Sequence, residues 1–297
     1  MADPTMTVEY PDRDQRFVVC AAQLGGEKVL KQTSASRDLR QKLELERYLQ
    51  RALRTHNTAL VQEFIRQYAR TGVAPALTTD QAAVQALLLT HYERVQALFS
   101  GALDQELPAN AKATPAEKAT MAAALATYFA SRSEAQARYI HETTTGDQQQ
   151  AITLARADQP DLSIQETAVV AGAILSRWFR AREVSTATTE TQAAAEATKA
   201  TEAEVLSGLQ PSVVGGSRRQ AQPEKTWDSV GDSHVRDDHL AADGQTVPVN
   251  EPFVVGGEQL MFPGDTSLGA SAGNVINCRC GSTYDAAAIA EQRQNGG

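Results

Sequence analysis

Between residues 37 and 70 the apolar positions Leu39, Leu43, Leu49, Leu53, Leu60, Phe64 and Tyr68 recur at steps of mostly three and four. That spacing gathers them on one face and predicts a long helix. GVAPAL at 72–77 ends it, because glycine frees the backbone and proline has no N–H for the helical ladder. Three later helices are predicted to begin with a capping box: Thr78 with Gln81, Thr114 with Glu117 and Pro115 at the first helical position, and Ser163 with Glu166. The bodies that follow carry the stripes Val84, Leu87, Leu88, His91, Val95, Leu98; Met121, Leu125, Tyr128, Phe129; and Val170, Ile174, Leu175, Trp178. On such a stripe His91 reads as a structural core histidine rather than a ligand. A further, separate helix is expected at 147–157. Residues 185–207, STATTETQAAAEATKATEAEVLS, look like low complexity, yet alanine spaced by Glu and Lys also favours helix, and a helix is expected there.

The pattern changes after residue 207. GLQPSVVGGSRRQAQPE at 208–224 concentrates Gly, Pro and polar residues, and beyond it short runs such as QTVPV, PFVV, EQLMF and NVINCRC alternate with DG, NEP, GG and PGD turns. The expected organisation is an irregular leader at 1–30 with a short strand at 16–20, a helical region at 31–207, a linker at 208–224, a small β-rich module at 225–285 and a tail at 286–297. The fold class is therefore α+β, mainly helical with a β-rich C-terminal module.

Composition adds three constraints. With aromatics at 5%, Ala, Leu and Val must do most of the packing, which suits helices. The net charge of -8 argues against a protein that coats nucleic acid through bulk positive charge, although the 37–70 helix has a local excess of basic residues (Arg37, Arg40, Lys42, Arg47, Arg51, Arg54, Arg66, Arg70). Three cysteines, Cys20, Cys278 and Cys280, make no disulfide framework and point to a reducing compartment. The longest apolar run, AVVAGAIL, falls well short of the roughly 18–20 residues that cross a bilayer. The first fifteen residues have no apolar stretch of the signal-peptide kind, so synthesis and folding in the cytoplasm are expected.

The segment KTWDSVGDSHVRDDHLAADGQTV, followed by FVVGGEQLMFPGD and GNVINCRCG, carries an ordered motif series. Its members are Lys225 and Trp227, Asp232, Val235 and Arg236, His239, Asp243 and Gly244, Phe253, Pro263, Gly264 and Asp265, then Asn277, Cys278, Arg279 and Cys280. In order and spacing this resembles the C-terminal region of phage Mu F-like minor head proteins, also called phage head morphogenesis proteins. Thr189 and Glu190 sit where that family has a helical ARTE-like motif, so the resemblance spans about residues 170–285. His234 departs from the family pattern, and the first 160 residues match it only in being helical. The resemblance implies a non-enzymatic virion component near the portal vertex, needed to assemble or fill the head and able to enter the ejection pathway. Its partners would be the portal or major capsid protein, with packaged DNA facing the basic 37–70 helix.

Taken on their own, these residues allow plainer readings. Asp232, Arg236 and His239 stand at steps of four and three and would share one face of a helix as an ordinary hydrogen-bonded cluster. Asp243-Gly244 and Pro263-Gly264-Asp265 read as turns. Cys278 and Cys280, one residue apart, would face the same side of an extended strand. With His234 and His239 they would make a four-ligand zinc set; packed thiols and redox chemistry are the alternatives. Trp227 reads as a core anchor for the module. DDHLAADG before a Cys-containing turn imitates an HNH-type nuclease, but no histidine follows Cys280, and the eleven acids and four bases from Glu224 onward repel a phosphate backbone. A helical scaffold or adaptor absent from mature virions is the remaining alternative.

Overall fold

The computed structural model describes residues 28–76, 80–214 and 223–295, with side chains from residue 38. The expected leader, its strand at 16–20 and Cys20 lie outside the described residues, apart from 28–30, which are already helical; so do Thr78 of the first capping box and residues 215–222 of the 208–224 linker. The chain divides into two compact units after Gln41, and the second begins at Lys42. The elements are helices α1 (Lys28–Thr71), α2 (Asp80–Phe99), α3 (Ala102–Glu106), α4 (Pro115–Asp158) and α5 (Ile164–Leu206), then strand β1 (Glu224–Asp228), α6 (Asp237–Ala241), β2 (Thr246–Pro248), β3 (Phe253–Val255), β4 (Glu258–Leu260), α7 (Ala272–Val275), β5 (Gly281–Tyr284) and α8 (Ala286–Asn295). The fold is α+β, with a helical bundle followed by a small module of five short strands. No helix among the described residues is long and apolar enough to cross a membrane.

The capping boxes at Thr114 and Ser163 form as their sequences require: each hydroxyl accepts from the backbone N–H of the Glu three residues on, and that Glu accepts from the cap N–H. The expected separate helix at 147–157 does not exist, because α4 runs unbroken through Gly146. Thr143, Thr144 and Thr145 donate their hydroxyls to the carbonyls four residues back, at 2.7, 2.7 and 3.0 Å, which keeps a stretch rich in turn formers helical. In the same way the helix beginning at Ser163 and the Ala-rich 185–207 stretch are one element, α5.

Two apolar clusters fill the bundle. One joins Leu45, Leu49 and Leu53 with Leu88, Tyr92, Val95, Phe99, Leu125 and Phe129; the other joins Phe64 and Tyr68 with Ile152, Leu175 and Phe179. Leu98, expected on the core stripe, is 48% exposed, and Phe99 takes the inward place. His91 is buried as expected of a core histidine: its Nε2 lies 2.9 Å from Thr191 Oγ1, while its Nδ1 has no partner. Between 189 and 207 every residue of the α5 end except Lys199 is buried. Alanine makes that possible, because a side chain of one carbon lets neighbours approach the helix from all sides.

In the module β1 lies between β2 and β5, antiparallel to both, with Trp227 opposite Ser282 and Lys225 opposite Val247 and Tyr284. β3 and β4 form a separate hairpin turned by Gly256-Gly257. Pro263-Gly264 makes a turn in which Asp265 N–H donates to Phe262 O at 3.0 Å and Gly264 has φ 89°. Glycine has a second reason to be there: a Cβ would lie 3.3 Å from Ala193 Cα on α5. Residues 286–295, within the expected tail, form α8. Ile289 packs with Leu206 and Val249, and Arg293 donates to Glu117, Ala111 O and Leu206 O.

Candidate functional site

Five motif residues of the module, Trp227, His239, Phe253, Cys278 and Cys280, meet in one apolar core. Trp227, fully buried on β1, packs edge-on against Phe253 of β3 and His239 of α6, with ring centroids 5.3 and 5.5 Å away. Cys278 and Cys280 complete this core with Val255 and Leu260. The thiols lie on an extended segment immediately before β5 and face inward, while Arg279 between them faces the other way. That alternation is the one their spacing predicts.

His239 Nδ1 lies 3.6 Å from Cys278 Sγ and 3.4 Å from Cys280 Sγ. All three residues are at most 2% exposed, and their ligand atoms lie within 4.8 Å of one another, so the group can hold a metal ion. Contact with the Cys278 thiol draws the Cys280 thiol down to about 5 with help from His239, against burial, while the same contact and burial push Cys278 up. The donor set also passes a geometric test. Tetrahedral zinc with Zn–S of about 2.3 Å and Zn–N of about 2.05 Å sets S and N about 3.6 Å apart, which matches both separations.

His234 does not join this group. It is exposed on the turn after Gly231, where its backbone N–H donates to Asp232 Oδ1 at 2.9 Å. The expected helical face of Asp232, Arg236 and His239 does not form either, because α6 begins only at Asp237. Asp232 instead receives Arg279 Nη1 and Nη2, each at 2.7 Å, and that guanidinium lowers its carboxyl; Arg236 donates to Ile276 O. Asp243 accepts from Ser229 N–H at 2.7 Å, and Gly244 has the φ of 76° that the turn needs.

Lys225, Asp265, Asn277 and Thr189 fasten the module, whereas Glu190 is held inside the bundle. Lys225 is buried, which pushes its ammonium down; Nζ donates to Met261 O at 2.7 Å and lies 5.1 Å from the Phe253 ring centroid. Asp265 accepts from Met261 N–H at 2.9 Å and from Ser267. Asn277, at φ 57°, donates its N–H to Thr189 Oγ1 at 3.0 Å. Glu190 is held by Arg132, Gln136 and the Tyr92 hydroxyl. Residues outside the motif complete the seam: Gln192 donates to Cys280 O, and Glu196 accepts from Ser282 N–H and Oγ at 3.0 and 2.9 Å and from Lys42 Nζ at 2.7 Å. Sequence reasoning missed these last residues. Their signal is the 189, 192, 196, 199 spacing, a polar stripe of helical period inside the Ala-rich segment.

No family model, curated protein or solved structure matches this chain.

Proposed function

We propose that the chain is a minor structural protein of a tailed-phage head, acting at the portal vertex or capsid interior in head assembly, DNA packaging or DNA delivery. The observation that carries this reading is the ordered series from Lys225 to Cys280, preceded by Thr189-Glu190, which resembles the Mu F-like minor head proteins. The use of those residues supports it. Trp227, Phe253, His239 and both thiols form a core, Asp232 pairs with Arg279, and Thr189 receives Asn277, so the motif residues hold a packed module together. Portal and capsid proteins are the partners proposed, with the exposed Arg47, Arg51, Arg66 and Arg70 of α1 turned toward packaged DNA. Mass spectrometry of purified mature particles from a phage encoding this chain tests the reading. The chain is expected there in few copies, and its deletion is expected to give particles that fill or deliver DNA poorly. Absence from mature particles overturns the assignment in favour of a scaffold, and metal-dependent DNA cleavage lost in His239→Ala would replace it with a nuclease.

For the metal group we propose zinc. Two thiolates and an imidazole suit zinc, whereas magnesium and calcium seek oxygen donors. Purified full-length protein is expected to carry about one equivalent, lost in Cys278→Ser.

A further inference from the structure

The peptide 277–282 carries both thiols and also holds the module to α5. On one side, Asn277 N–H donates to Thr189, Cys280 O accepts from Gln192, Ser282 donates twice to Glu196, and Ser282 O accepts from Lys199 at 3.3 Å. On the other side, the Cys278 and Cys280 thiols meet His239, and Arg279 pairs with Asp232. Cys280 belongs to both sets at once, its thiol facing His239 and its carbonyl facing Gln192.

An extended peptide held in this way has little freedom while both sides are fixed. The α5 partners Thr189, Gln192 and Glu196 are buried side chains with narrow reach, so they require Asn277, Cys280 and Ser282 to stand in one register. A metal ion that joins two residues of this peptide to α6 sets that register, since coordination fixes both thiols against a single imidazole. We infer that zinc on His239, Cys278 and Cys280 is a docking lock: its occupancy sets how firmly the C-terminal module is held on α5. This rests on the zinc reading above. Linkage makes the coupling reciprocal: zinc strengthens docking on α5 by the same factor by which docking strengthens zinc binding.

The test uses the full chain, with zinc itself as the probe. Metal content is measured as purified, after removal by a chelator and after zinc is added back, and hydrogen exchange is followed in each state. Removal is expected to speed exchange about tenfold or more in peptides covering 277–284 and 189–199, reversibly, while the α2 peptide 84–95 keeps its protection. Thr189→Val leaves all three ligands in place and removes one docking acceptor, and it is expected to speed exchange at the seam while bound zinc still slows it. Zinc that comes and goes without changing exchange at the seam overturns the lock and leaves the zinc site standing. Loss of protection in all helices together also overturns it, because the ion would then support the whole fold. Protein that never binds zinc removes both the lock and the zinc reading.

Discussion

Arg132 of α4 and Glu190 of α5 form a two-pronged ion pair in the bundle interior, with Nε to Oε2 at 2.6 Å and Nη2 to Oε1 at 3.1 Å. Both side chains are nearly excluded from solvent, at 7% and 1% exposure. Glu190 also accepts from the Tyr92 hydroxyl at 2.5 Å and Gln136 at 2.7 Å, so its carboxylate is fully used. Removing one partner leaves a charge buried without compensation. Arg132→Met is expected to cost about 3–5 kcal/mol by chemical denaturation, and the double variant Arg132→Met/Glu190→Met much less than two such losses. Simple additivity would show that the two charges do not act as a pair.

Trp227 is the largest fully buried side chain and joins β1 to the rings of Phe253 and His239. Trp227→Ala is expected to cost about 3–5 kcal/mol, enough to unfold a module of this size. Asp237→Ala, on an exposed position of α6, is expected to stay within about 0.5 kcal/mol of the parent in the same denaturation experiment. A comparable loss at both positions would contradict the packing account.

Stability should fall with acid in two stages. Burial holds His91 down at about 3 from an ordinary 6.5, so the unfolded chain takes up that proton first, and its contribution, complete above about 6.5, is lost as pH falls toward 3. Burial pushes Glu196 up, but Lys199 and Lys42 more than offset this and hold it at about 2, so its contribution is present above about 4.5 and is lost as pH falls toward 2. His91→Gln is expected to reduce the stability lost between about pH 7 and about pH 5 by about 2 kcal/mol. An unchanged slope in denaturation midpoints across that interval would rule out His91 as the source.

Gly172 on α5 lies where a Cβ would come within 2.6 Å of Ile65 Cγ1 and Cδ1 on α1. Gly172→Ala gains about 1 kcal/mol of helix propensity but overpacks the crossing at a cost of about 1–3 kcal/mol, so net destabilisation is expected. Ile65→Ala removes the clashing atoms. The double variant should therefore be more stable than the sum of the two single changes, measured as a coupling in a double-mutant cycle.

Much of this architecture was legible because it is local. The capping boxes at Thr114 and Ser163, the stripe carrying Leu49, Leu53, Phe64 and Tyr68, and the turns at Asp243-Gly244 and Pro263-Gly264 all follow from groups a few residues apart. The same holds for two inward thiols flanking an outward Arg279. His234 could not be separated from His239 in this way, since each lies about forty residues from the thiols along the chain and only the late start of α6 turns one in and leaves the other exposed.

By itself the sequence determined where helices begin, which faces are apolar and where helix gives way to short strands, because backbone hydrogen bonding and side-chain period act over one or two turns. Tertiary structure alone decided that an Ala-rich stretch resembling low complexity would be buried along nearly its whole end, from 189 to 207. Helical period puts Thr189, Gln192, Glu196 and Lys199 on one stripe, but nothing local says that Asn277, Cys280 and Ser282 will arrive there. Asp232 found Arg279 instead of Arg236 for the same reason: a carboxylate takes the best-oriented guanidinium within reach, and reach is set by the folded chain.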